Sequence, residues 1–115
     1  MTRKYGINYV QEKRRVMIVE DHPVFRMGLR ELINEEKDLM VCGEADDAGQ
    51  AFDEIARCCP HIIIIDISLK TRDGIELVRD VRRRYKDIPT LVLSMHEESR
   101  FAGRSLQAGA KGYIM

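Results

Sequence analysis

Residues 61–74 read HIIIIDISLKTRDG, and the fold is decided in this stretch. Four consecutive isoleucines are too apolar for a strand with one solvated face, which would alternate; they suit the interior of a parallel sheet covered on both faces. Burial is expected to stop at Asp66. A polar segment rich in turn formers follows and ends at Asp73-Gly74, so Asp66 stands where a central strand leaves the core. In an open α/β sheet that carboxyl end is where ligands bind. An acid placed there loses solvation unless a metal ion or hydrogen-bond donors meet it.

The flanking sequence repeats the same unit. Residues 16–19 (VMIV) form a short strand of buried type closed by Glu20-Asp21. His22-Pro23 then opens a helix, with Pro suited to its first turn and Asp21 or His22 available as its cap. Phe25, Leu29, Leu32 and Ile33 share one face of that helix, with Arg26, Arg30 and Glu36 turned outward. Residues 39–45 carry a second strand. Asp46-Asp47 begins a second helix whose Phe52, Ile55 and Ala56 face inward, and Cys58-Cys59-Pro60 ends it. Gly74 opens a third helix lined by Ile75, Val78, Val81 and Tyr85. Its Arg79, Arg82, Arg83 and Arg84 read as a solvated face countered by Glu76, Asp80 and Asp87 rather than a nucleic-acid surface. Pro89 precedes a fourth strand, residues 90–93 (TLVL), which ends at Ser94. A fourth helix with a thin apolar face is expected over 97–108, and Tyr113-Ile114-Met115 start a fifth strand. Strict alternation of strand and helix requires right-handed crossovers. The fold class is α/β, a doubly wound parallel five-stranded sheet in the order 2-1-3-4-5.

A chain of 115 residues has room for one domain with a modest core. Residues 1–14 read as a flexible basic arm and residues 15–115 as the folded unit. With 19 Lys and Arg against 19 Asp and Glu, the molecule lacks the cationic field that drives nonspecific nucleic-acid binding. Cys42, Cys58 and Cys59 have no zinc-ligand spacing, and the adjacent pair reads as two small buried thiols at a helix end, a redox site being the alternative. An odd number of cysteines, no membrane-spanning apolar run and no signal-peptide pattern point to a soluble, cytoplasmic protein with no membrane partner.

Polar residues recur at strand ends: Glu20-Asp21 after the first, Asp66 after the third, Ser94 after the fourth. With strands one and three adjacent, three carboxylates converge, and their repulsion calls for a cation. Mg2+ answers this, because it accepts a few carboxylates while keeping its remaining waters. Beside it, Asp66 can attack a phosphoryl group in line, and the Ser94 hydroxyl can hydrogen-bond a phosphoryl oxygen. Singly, Ser94 is a turn residue and Glu20-Asp21 a helix cap; the joint spacing reverses that weighting.

The segments VMIVEDHPVFRMGL, IIIDISLKTRDGIEL, LVLSMH and AGAKGYI resemble the receiver (CheY-like) domain of bacterial two-component response regulators, a flavodoxin-like fold. Within that family they are most similar to the subclass whose receiver precedes a LuxR-type helix-turn-helix. The resemblance implies a phosphoacceptor, Asp66, served by a sensor histidine kinase. It implies Mg2+ held by Glu20, Asp21, Asp66 and the Ser68 backbone carbonyl, with Glu20 acting through water. Ser94 and Tyr113 would form the switch, and Ser68 and His96 would tune dephosphorylation. DNA would be met only through an output domain outside this chain, giving transcription regulation, and self-association is expected. Two departures stand out. Lys70 occupies the position where the family usually has proline. The site lysine is not in this chain and is expected just after Met115, with the last helix following it; Lys111 lies on the wrong side of Tyr113 for that role. The resemblance implies a phosphoprotein in a phosphorelay rather than a turnover enzyme, with self-phosphorylation and autodephosphorylation on its Asp as its only chemistry. The alternatives are a receiver-like interaction module that is never phosphorylated, a flavodoxin-like cofactor binder, and a phosphatase. Glu20-Asp21-His22-Pro23 would repel a cofactor phosphate, and Asp66-Ile67-Ser68 lacks the second acid of a phosphatase.

Overall fold

A computed structural model of the chain describes residues 12–66, 74–94, 104–105 and 107–114. In order, the elements are β1 (Arg14–Val19), α1 (Pro23–Asn34), β2 (Leu39–Ala45), α2 (Ala48–Cys58), β3 (Ile62–Asp66), α3 (Gly74–Arg84), β4 (Thr90–Leu93) and β5 (Gly112–Ile114). The strands form one sheet in the order β2-β1-β3-β4-β5, and every adjacent pair is parallel. Because the path runs from β1 outward to β2 and then back to β3, right-handed crossovers put α1 and α2 on opposite faces. Helical residues among Arg104, Ser105, Gln107 and Ala108 fall inside the expected fourth helix; the rest of that span, with Phe101 and Leu106, lies outside the described residues. The same holds for residues 1–11 of the expected arm, whereas Arg14 already belongs to β1.

The core lies between the sheet and α2 with α3. Met17, Val19, Ile63, Ile65 and Val92 supply its sheet side; Ala51, Ile55, Leu77, Val78 and Val81 supply its helix side. The isoleucine run is less uniform than its composition suggests. Ile63 and Ile65 are sealed, but Ile62 and Ile64 are only half-buried, since α1, on their face, buries none of its residues. Leu29 and Ile33 of α1 are half-covered, whereas Leu32 is 64% exposed, so its place on the inward face is corrected. Arg26 and Arg30 do not turn away from the sheet either. Both reach Glu44 of β2, at 3.2 and 3.0 Å, and Arg26 also donates to the Glu20 carbonyl at 3.0 Å.

Helix α2 buries Ala48, Ala51 and Ile55, a spacing of three and four that keeps them on one face; Ala56, expected inward, is exposed. Phe52 sits at the edge of that face and stacks on Tyr85, with the Arg84 guanidinium 4.3 Å above its ring. The helix starts at Asp47, whose carboxylate accepts from the Gln50 N–H at 2.9 Å. Asp47→Ala is expected to cost about 1 kcal/mol, the usual worth of such a cap, read as a lower urea midpoint with an unchanged slope.

Candidate functional site

Strand register brings the acids together. Val19 lies opposite Ile65, so the residues that follow them, Glu20 and Asp66, stand side by side at the carboxyl ends of β1 and β3. Asp66 in turn lies opposite Leu93, which puts Ser94 one step beyond it on the next strand. Glu20, Asp66 and Ser94 are all buried, at 1%, 5% and 2% exposure, while Asp21 is half-buried. Glu20 is fixed from the backbone, its N–H donating to the Ala45 carbonyl at 2.9 Å. Tyr113 takes its place in β5 opposite Val92. Ser68, His96 and Lys70 lie outside the described residues. Lys111 donates its N–H to the Thr90 carbonyl at the start of β4, the end of the strand remote from Ser94, so it stands away from the acids.

His22 is a member of the site that residue patterns read only as a cap. It occupies the N-cap position of α1 without making a side-chain cap. Its ring Nδ1 instead bonds Glu20 Oε1, lies 3.2 Å from Asp21 Oδ1 and stands 3.7 Å from Asp66 Oδ2. The His22 N–H also donates to Glu20 Oε1 at 3.0 Å. Glu20, Asp21, His22 and Asp66 thus each offer one ligand atom, all within 4.8 Å of one another. The signal that could have found His22 is its position two residues beyond Glu20, where a chain entering a helix turns back over the preceding strand end.

The electrostatics reflect crowded acids. Burial, and then the neighbouring Asp66, pushes the Glu20 carboxyl up to about 7. The Glu20 carboxylate in turn raises the His22 imidazole above its usual range, favouring the charged ring. His22 serves as a partial counter-cation, but it is half-exposed and satisfies only one side of Glu20. The other oxygen, Oε2, is buried, and no hydrogen-bond donor among the described residues reaches it. Three carboxylates with a buried oxygen lacking a donor form a hard oxygen set, which fits a small divalent cation such as Mg2+ and no soft metal.

Residues 16–115 match the response regulator receiver domain family. The chain belongs to that family. Among known relatives, the receiver is 30% identical over 105 residues to the transcriptional regulatory protein DegU of Brevibacillus brevis, covering 91% of this chain and 44% of that one. It superposes with a TM-score of 0.83 on a two-component response regulator of the LuxR family from Aurantimonas sp. SI85-9A1, at 37% identity, covering 89% of this chain and 73% of that one. The signal receiver domain of the response regulator NarL from Mycobacterium tuberculosis gives a TM-score of 0.83 at 32% identity, covering 90% and 83%. The chain spans about half the length of the curated relatives it matches. The receiver is α/β with the doubly wound sheet expected, and no helix among the described residues is long and apolar enough to cross a membrane.

Proposed function

We propose that this receiver accepts one phosphoryl group on Asp66 from a sensor histidine kinase and thereby switches a transcription-regulating output domain. The observation that carries the reading is the convergence of Glu20, Asp21 and Asp66, with a buried Glu20 oxygen that no donor among the described residues reaches. Glu20, Asp21 and Asp66, joined by the Ser68 carbonyl, would hold Mg2+, which when bound neutralises charge on the phosphoryl oxygens. The residues do the rest. A carboxylate oxygen of Asp66 forms the new P–O bond as the phosphorus–nitrogen bond to the kinase imidazole breaks, and that imidazole nitrogen keeps the electron pair. The Ser94 hydroxyl, buried beside Asp66, would donate to a phosphoryl oxygen, and Tyr113 on the next strand would change rotamer with it. Ser68 and His96 would flank the path of the water that later hydrolyses the acyl phosphate. The name of DegU as a transcriptional regulatory protein supports a transcription-regulating output.

A small phosphodonor such as acetyl phosphate, given with Mg2+, is the test. One phosphoryl group per chain, released by hydroxylamine and absent in EDTA, is expected. No incorporation would leave a receiver-like interaction module, and hydroxylamine-stable incorporation would place the chemistry on a hydroxyl.

A further inference from the structure

The three cysteines are arranged differently from their order in the chain. Cys58, at the last turn of α2, makes its contact with Cys42 of β2 and not with its neighbour: the two Sγ atoms are 2.9 Å apart, with the Cys42 thiol donating. Cys59 is exposed, and its thiol lies 4.0 Å from the Ala56 carbonyl. The expectation of two buried thiols at the helix end is corrected accordingly. Its cause is the helix stop, where Cys59 adopts the left-handed conformation with φ 47° and carries its side chain away from the helix face that Cys58 occupies.

Two local features bring Cys42 and Cys58 together. The pairing of β1 with β2 passes from Val16–Val41 directly to Met17–Gly43, so Cys42 is the extra residue of a bulge. A bulge breaks the alternation of side chains, and here Cys42 packs against the α2 side of the sheet, the same side that Gly43 opens to. Gly43 then leaves the space that α2 needs. A Cβ there would stand 3.2 Å from Cys58 Sγ and 2.8 Å from Glu54 Oε1. Arg15 secures the same turn, donating to the Cys58 carbonyl at 3.1 Å and to the Cys59 carbonyl at 2.8 Å, and Arg57 donates to the Cys42 carbonyl at 2.8 Å.

We propose that Cys42 and Cys58 are a thiol–disulfide modification site, closed by a low-molecular-weight disulfide into an internal bond that ties the end of α2 to β2. The chemistry balances without any other reagent. The Cys58 thiolate attacks one sulfur of the reagent R–S–S–R, forming a mixed disulfide and releasing the first RS⁻. Cys42 sulfur then attacks Cys58 sulfur, expelling the second RS⁻. The two thiol protons end on the two departing thiolates, so two protein thiols are oxidised and R–S–S–R is reduced to two RSH. The order of attack follows from the contact. Burial, and then the adjacent Cys58 sulfur, pushes the Cys42 thiol up to about 12, so Cys42 keeps its proton and Cys58 is the sulfur that receives it in a hydrogen bond. Once Cys58 carries the reagent, Cys42 is the thiol already in contact with the sulfur to be attacked.

The test treats the full reduced chain with oxidised glutathione, blocks the remaining thiols by alkylation and maps peptides by mass without reduction. A cross-linked pair of peptides joined through Cys42 and Cys58, with Cys59 outside the bond as an alkylated thiol or a glutathione mixed disulfide, is the expected product. Cys42→Ser should accumulate glutathione on Cys58, Cys59→Ser should close the bond as the parent does, and Gly43→Ala should slow closure by pushing Cys58 away. A Cys58–Cys59 bond, glutathione retained on the parent with Cys42 still free, or three unchanged thiols would each overturn the proposal. The mapping of the parent chain decides the matter even if the Cys42→Ser variant folds poorly.

Discussion

Asp66→Asn is expected to bring phosphoryl incorporation from acetyl phosphate down to background while leaving the fold intact. The amide is nearly isosteric with the carboxyl, so the packing at the end of β3 can persist, but it offers no anionic oxygen to form an acyl phosphate. The remaining acids are poor substitutes. Glu20 is more deeply buried, and its Oε1 is engaged by both the ring and the N–H of His22. Asp21 follows the end of β1, one residue beyond the row in which Glu20 stands beside Asp66. Because one of three crowded negative charges is removed, the variant should melt no lower than the parent in the absence of metal. The measurement is hydroxylamine-labile label per chain, alongside a thermal melt of the same sample. Label retained in Asp66→Asn would assign the chemistry to another acid, and label lost together with the melt would reveal nothing beyond unfolding. Ser94→Ala separates the roles: it should still accept the phosphoryl group, since the role proposed for its hydroxyl is toward a phosphoryl oxygen and not in forming the new P–O bond.

Much of this site is legible in residues 61–66 and 16–21, because a run of β-branched residues closed by an acid marks both the strand and the end where it leaves the core. The neighbourhood of β1 and β3 then converts two separate signals into one cluster. What periodicity does not carry is the identity of whatever lies opposite a face. Arg26 and Arg30 occupy polar positions of α1 and look solvated in sequence, yet Glu44 of β2 lies within their reach and draws both toward the sheet. Ile62 and Ile64 read like Ile63 and Ile65, but their exposure depends on how closely α1 approaches. The bulge at Cys42 is a further case. It changes the parity of one strand by a single residue, and no composition or spacing in residues 39–45 announces it. His22 was hidden for a related reason, since its role rests on the backbone turning over Glu20 and not on any repeat.

Glu20→Gln is expected to raise the melting temperature of the metal-free protein at pH 8 by on the order of 10 °C, and to remove most of its response to Mg2+. The Glu20 carboxyl has its ordinary value near 4.5 in the unfolded chain and about 7 in the folded one, burial being the first cause and Asp66 the next. Below the unfolded value the group is protonated in both states and costs nothing. Between the two values the folded protein holds a proton that the unfolded chain has released, so stability falls as pH rises, and the loss is complete above about pH 7. The size of the shift corresponds to roughly 3 kcal/mol. His22 slopes the same way: its raised value contributes stability that is full below its unfolded value of 6.5 and is lost as pH climbs through the folded one. The metal-free protein should therefore melt highest in mild acid and lose stability up to pH 8. Mg2+ should reverse that trend, stabilising strongly at pH 8, where the carboxylates are charged, and weakly at pH 5, where Glu20 is protonated. In Glu20→Gln the neutral amide removes the buried charge and can donate to Asp66, which flattens the pH dependence over the same window. Thermal melts of both proteins in EDTA and in Mg2+ at pH 5 and pH 8 provide the check. Identical pH slopes in parent and variant, with the same Mg2+ shift, would mean that the Glu20 carboxyl neither strains the metal-free site nor helps to hold the cation.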